Sequence, residues 1–263
     1  MQSSLELQQA MTATQVFLWT APRCVSTAFE RSIRELNDVK VLHEPLDAAF
    51  YRGPERISKE LPLVETATFD SARSLMVKDY EGYEAVFCKS LCYQTRGQYE
   101  NYIQDKFAKF KHTFLIRNPK KAIPSLYKAC SESGYNCNDE ELHGFSAMHE
   151  LYSLVQQRRH PSPVVIDADD LLRDPERIMR KYCIATGLPF KESMLTWTPR
   201  SFPEWEFDTT FRIWHGTVIE SSGFIPRTVS SSRPSVDGLP AKIQAAVKEA
   251  IPHYEAMYGV RMC

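Results

Sequence analysis

Short apolar runs of strand length alternate along the chain with segments whose apolar positions recur every three to four residues. That alternation predicts an α/β fold with a parallel sheet. The first run is Val16-Phe17-Leu18-Trp19, and the polar turn from Thr20 to Ser26 separates it from a helix starting at Thr27 whose Phe29, Ile33 and Leu36 share one face. Val39 to Leu42 predicts a second strand, running into His43-Glu44-Pro45, where proline stops the hydrogen-bond ladder. Tyr51 to Tyr83 is rich in charge and proline and predicts loops and short helices over a sheet edge. Ala85 to Lys89 predicts a further strand, and the spacing of Tyr99, Ile103, Phe107 and Phe110 predicts a helix after it.

The rhythm continues in the second half. His112 to Arg117 reads as a strand, and Asn118 then caps a helix whose first position is Pro119, where a missing N–H is harmless. Pro124 falls inside that helix and deprives one carbonyl of its partner. Phe145, Met148, Tyr152 and Val155 mark another helix, followed by the strand Val164-Val165-Ile166 and an acidic cluster, Asp167, Asp169 and Asp170, which reads as a helix cap rather than a cation site. Asp174 caps and Pro175 opens the next helix, which ends at Gly187. From Ser193 to Pro240 the periodicity is lost among aromatics and serines; Ile243, Val247, Ile251 and Tyr254 then mark a last helix.

The 263 residues are 43% hydrophobic and 25% charged, the profile of a globular chain and neither a disordered nor a collagenous one. At this size nearly three quarters of the unfolded surface is buried on folding, by about the usual area scaling, so one large core is expected over residues 1–263, with 1–14 as a flexible segment. Thirty-two Lys and Arg against 33 Asp and Glu leave a formal charge of −1. A general nucleic-acid binder is strongly basic, so nucleic acid is not an expected partner and any anion site must be local. Acidic and amide residues precede the first strand where a signal peptide carries basic and apolar runs, and no stretch reaches the roughly 18 apolar residues of a membrane span. The expectation is a cytoplasmic protein off the membrane. The seven cysteines are odd in number, scattered, and free of C-x-x-C pairs, which reads as reduced thiols and argues against a zinc site.

Two segments carry candidate chemistry. In Thr20-Ala21-Pro22-Arg23-Cys24-Val25-Ser26-Thr27-Ala28 a strand turns into a helix, where backbone N–H groups and the positive end of the helix dipole attract an anion, and Arg23, Ser26 and Thr27 add a charge and two hydroxyls. The turn has no glycine and no Walker lysine, which disfavours a magnesium nucleoside triphosphate. An ordinary turn with Ser26 as N-cap accounts for the same residues. The second segment, Leu115-Ile116-Arg117-Asn118-Pro119-Lys120-Lys121, places Arg117 at a strand end and Ser125 in the following helix, within the most basic stretch of the chain. A solvated helix face with Arg117 in an ion pair is its alternative.

Together the two segments resemble the P-loop sulfotransferase superfamily, whose members use 3′-phosphoadenosine 5′-phosphosulfate (PAPS) as sulfuryl donor. Pro22-Arg23-Cys24-Val25-Ser26-Thr27 is similar to the family's P-[KR]-S-G-[ST]-[ST] turn, and Arg117-Asn118-Pro119 with Ser125 is similar to its R-[ND]-P motif and the serine eight residues after the arginine. Asp170 to Pro175 is similar to a third stretch, and the form A-P-R-x-V-S-T-A with H-E-P-L after it looks most like a divergent branch. The resemblance implies a single three-layer α/β domain with a central parallel sheet flanked by helices. It implies that residues 23–28 hold the 5′-phosphosulfate end, Arg117 and Ser125 hold the 3′-phosphate, and no metal takes part. Arg227 or Arg233 would stand in for the family's C-terminal basic loop, and Lys89 is a second cation for the sulfonate. Cys24 and Val25 replace the usual Ser and Gly, and Ala28 stands where an aromatic often stacks on adenine.

The resemblance assigns Arg23 to the leaving-group oxygen and Glu44 to the base at the end of the second strand, with His43 tuning or replacing it. A structural Glu44, paired with a cation, is the alternative. The implied reaction is sulfuryl transfer from PAPS to a hydroxyl or amine of a small molecule, releasing adenosine 3′,5′-bisphosphate (PAP). Two rivals stay open: a kinase-like P-loop enzyme using ATP, and a nucleotide-binding module without turnover. Segments 45–83 and 193–235 would form the acceptor pocket, and neither they nor the oligomeric state follow any recognisable pattern.

Overall fold

In the computed structural model of the chain, residues 13–57, 59, 61–137, 139–206, 209–225 and 236–262 are described. Five parallel strands, β1 (Thr14–Thr20), β2 (Val39–His43), β3 (Ala85–Leu91), β4 (Lys111–Ile116) and β5 (Val164–Asp167), form one sheet in the order β2-β3-β1-β4-β5. All seven side chains of β3 are buried, as a central parallel strand covered on both faces requires.

Helices α1 (Ser26–Ile33), α2 (Asp47–Arg52), α3 (Phe69–Met76), α4 (Pro119–Ser133), α5 (Asp139–Leu142), α6 (Gly144–Arg158), α7 (Ala168–Arg173), α8 (Pro175–Thr186), α9 (Phe211–Ile219) and α10 (Ala241–Tyr258) surround the sheet. On one face Phe29 of α1 packs between Phe87 of β3 and the ring edge of Tyr182 of α8. On the other, Tyr152 of α6 meets Phe114 of β4 edge-on, and Tyr254 of α10 donates to Asp167 at the end of β5 at 3.1 Å. Three layers result, as expected.

The predicted caps close the helices next to the strand ends. Asn118 accepts from the Lys120 N–H at 2.9 Å with Pro119 behind it, and Asp174 accepts from Arg177 ahead of Pro175. Gly187 ends α8 at φ 77, a conformation that costs other residues a Cβ clash. The Asp167 carboxylate accepts from the N–H groups of Asp169 and Asp170, so the acidic cluster caps α7.

Three expectations need correction. Tyr99 to Phe110 forms no α-helix but short 3-10 turns at Tyr99–Tyr102 and Asp105–Phe107, because Asp105 takes a left-handed φ of 49 that breaks any helix. Its aromatics recur because they plug one face of the sheet, Phe107 and Phe110 both stacking on Phe17. The aperiodic region after Ser193 contains α9, whose mixed Ile, Trp, His and Gly positions hid it. Not all thiols are reduced: Cys130 of α4 and Cys137 are joined in a disulfide, Cα atoms 5.9 Å apart, because Gly134 at φ 72 turns the chain back on the helix end. Cys24, Cys88, Cys92 and Cys183 are free and buried. Among the described residues no helix is long and apolar enough to cross a membrane.

A loop this short gains stability chiefly by losing unfolded-state freedom. Cys137→Ser is expected to lower the unfolding free energy by about 2 kcal/mol. Urea denaturation of variant and parent checks it, and equal midpoints in oxidising buffer would contradict the bridge.

Candidate active site

In this strand order the chain leaves β1 toward one edge of the sheet and β4 toward the other, so a crevice opens beyond their C-terminal ends. The turn after β1 is wound without glycine. Arg23 and Val25 both adopt left-handed conformations, φ 63 and 70, and the second is rare for a β-branched residue. Left-handed residues alternating with right-handed ones are the backbone pattern of anion nests, and here the pattern runs straight into the N-terminus of α1. No side chain caps α1, so the alternative in which Ser26 is the N-cap is not realised; Ser26 is the first helical residue.

The two candidate motifs meet. Arg117 donates from Nη1 to the carbonyl of Arg23 at 2.9 Å, and Arg23 donates from Nε to Ser125 Oγ at 3.2 Å across 102 residues of sequence. Nη1 of Arg23 also donates to the Trp214 carbonyl of α9 at 2.8 Å. A cavity of about 740 Å³ lies against this cluster, lined by Arg23, Val25, Ser26, Thr27, Ala28, Arg117 and Ser125 as well as by His43 and Glu44. Of the expected site residues in the described part, Cys24 and Lys89 stay out; the Cys24 thiol is fully buried, and burial, only partly offset by the Arg117 charge, pushes it up to about 12. Arg227 and Arg233 lie outside the described residues.

Lys89 does not face the cavity as a sulfonate cation. It is wholly buried and pairs with Glu44, with Glu30 at 3.9 Å on its other side. Burial acts against the Glu44 carboxylate, yet the Lys89 ammonium, then His43, hold it below the usual carboxylate range. Glu30 is completely buried. Its Oε2 lies 2.6 Å from His43 Nδ1, and its Oε1 accepts from Arg34 Nε at 2.9 Å and Trp205 Nε1 at 3.2 Å. Against its burial, His43, Lys89 and Arg34 together keep it well below its ordinary value.

Several lining residues had no sequence signal. His215 of α9 has its ring 5.5 Å from that of His43, and burial first, then its neighbours His43 and Lys89, push it down to about 3. Also on the lining, Tyr51 of α2 shares a hydrogen bond with Tyr93 at 2.7 Å and donates to Glu141 of α5. Asp47, accepting from Gln94, is pushed up to about 7 by burial and then by the Glu44 charge. These contacts join positions 42 to 90 residues apart, so only the fold assembles them.

The sulfotransferase-domain family model matches residues 14–260, nearly the whole chain. The chain belongs to that family. Among solved structures, the sulfotransferase from Alicyclobacillus acidocaldarius is similar at TM-score 0.55 and 14% identity, with 94% of this chain and 96% of that one covered. The sulfotransferase domain from the curacin biosynthetic pathway follows at TM-score 0.52 and 13% identity, covering 92% and 98%. At such identities these sulfotransferases share the fold. Two Arabidopsis thaliana proteins named branched-chain-amino-acid aminotransferase-like protein 2 and 1 are 32% identical over 217 residues and 31% over 215. These alignments take in 80% and 78% of this chain, which spans about a third of the length of those relatives, 36% in each case.

His215 is buried neutral, as is His112, which accepts from Trp19 at 2.9 Å and is pushed down to about 3 by burial and then the Arg159 charge. Unfolded histidines take up protons near pH 6.5, whereas these two resist down to about 3. Their contribution is complete above pH 6.5 and is lost progressively as the pH falls toward 3. Urea midpoints measured from pH 7.5 to 4 should fall, with a shallower slope in His215→Asn; identical slopes would contradict the burial of a neutral ring.

Proposed function

We propose that the protein transfers a sulfuryl group from PAPS to a hydroxyl or amine of a small-molecule acceptor. The observation that carries this reading is the convergence of Arg23, Arg117 and Ser125 on one cavity wall at the sheet's crevice, in a chain whose overall charge is almost nil. Two guanidiniums and a cluster of hydroxyls suit a ligand with phosphate at both ends, since a guanidinium binds phosphate oxygens in pairs. PAPS supplies an activated sulfur whose bond to a phosphate oxygen is broken in line by the acceptor.

The chain's residues then have separable tasks. The 23–28 turn and the start of α1 hold the 5′-phosphosulfate end, while Arg117 and Ser125 hold the 3′-phosphate. Arg23 meets the negative charge that gathers on the oxygen left behind, and a donor placed there contributes about 3 kcal/mol to lowering the barrier. Ala28 and Val218 belong to one apolar cluster and both line the cavity, offering the adenine an aliphatic surface there. The acceptor occupies the part of the cavity reached by Asp47, Tyr51 and His215. On this reading a metal ion is not needed for the transfer, because the charge is met by the arginine guanidinium.

Calorimetric titration with PAP and with ATP, each with and without Mg²⁺, tests the reading. Metal-independent PAP binding is expected, weakened about 30-fold or more in Arg117→Ala because a phosphate loses its charged partner. Absent PAP binding, or tighter binding of ATP with Mg²⁺, would overturn it.

A further inference from the structure

The sulfotransfer reading leaves two side chains at the end of β2 competing for one task. We propose that His43 takes the acceptor's proton and that Glu30, reaching from α1, is the positioning residue that orients its ring. Glu44 serves instead as the counter-charge of Lys89. The inference rests on the sulfotransfer reading for the identity of the reaction and on geometry alone for the division of labour.

Glu30 has no exposed surface, and both its oxygens are occupied by groups from different elements: His43 of β2 on one, Arg34 following α1 and Trp205 on the other. A carboxylate held that way does not rotate, and being ionised it accepts only. The His43 nitrogen facing it must therefore be the N–H, so the neutral ring carries its lone pair on Nε2. His43 lines the cavity, and its ring is flanked by His215 at 5.5 Å and Trp205 at 6.2 Å between centroids. A buried acid behind an imidazole fixes the tautomer and steadies the imidazolium that forms.

Glu44 is placed for other work. Its carboxylate pairs with an ammonium that has no solvent, so protonating it would strand that charge. In the balanced step, sulfur forms a bond to the acceptor oxygen or nitrogen as its bond to the phosphate oxygen breaks. The electron pair of the broken bond stays with PAP near Arg23, the acceptor's proton goes to His43 Nε2, and water later removes it. The charged and titratable groups around His43 are Glu30 and Arg34 from the α1 side, Lys89 from β3, Glu44 beside it, Asp47 of α2 next to Glu44, and His215 from α9.

The first test needs no turnover: nitrogen NMR of the histidine-labelled full chain at pH 7.5, with and without PAP. A hydrogen on Nδ1 and a bare Nε2 at His43 are expected, with the preference lost in Glu30→Gln; a hydrogen on Nε2 in the parent protein overturns the proposal. Transfer of radiolabelled sulfate from PAPS to 4-nitrophenol and benzylamine supplies the second. Glu30→Gln should lose roughly 100-fold or more in kcat, with donor KM unchanged and the acidic limb of the pH–rate profile moved to lower pH. Full loss in Glu44→Gln with His43→Gln active would overturn the assignment. Failure of PAP to bind would instead overturn the sulfotransfer reading, whatever tautomer His43 shows.

Discussion

A single ammonium governs the arrangement of the site. Lys89 sits on a central strand without any contact with water, and an isolated buried charge costs several kcal/mol. Its partners, Glu44 and Glu30, come from the end of β2 and from α1. Satisfying this one charge therefore fixes the separation of three elements, α1, β2 and β3. It also brings His43 beside Glu30, and through Arg34 and Trp205 it draws in the irregular segment after α8. Replacing Lys89 by an apolar residue would strip Glu44 of its counter-charge, while Glu30 would keep Arg34 and His43.

The cavity built on that cluster is lined by charges of both signs: Arg23, Arg52 and Arg117 with Glu44, Asp47 and Glu141. α1 serves it twice. Its first turn lines the cavity, and Glu30, one turn later, contacts His43. On the proposed reading, a rigid helix would thus set the distance between the donor end and the proton acceptor, which is the geometric condition for an in-line transfer.

Much of this was legible wherever the signal was local. Strand, turn and helix from Val16 to Ile33 follow from period and polarity, and Asn118-Pro119 and Asp174-Pro175 announce their caps in adjacent residues. Arg117 and Ser125 could be paired because both belong to one strand-helix unit. Glu30 escaped because it looks like an ordinary residue of an amphipathic helix, and His215 because it lies in an aperiodic stretch; their meaning lies in neighbours 13 and more positions away. Lys89 was legible as a cation at a strand end, but which way it faced was not. The spacing of Tyr99 to Phe110 misled because plugging a sheet face and lining a helix produce the same intervals, and only the left-handed Asp105 separates them. The Cys130–Cys137 bridge escaped because an odd, scattered count conceals one local pair.

The turn after β1 bends at arginine and valine where glycine would move freely. A non-glycine residue in the left-handed region carries a conformational cost of order 1–3 kcal/mol, and its neighbours must hold it there: Arg23 by Ser125, Trp214 and Arg117, Val25 through the first helical hydrogen bond to Phe29. So braced, the loop has few shapes available before a ligand arrives. If the proposed reading holds, an arriving anion would meet an already ordered cradle and surrender little of its binding energy to freezing the backbone, so nucleotide exchange would be governed by contacts broken on departure.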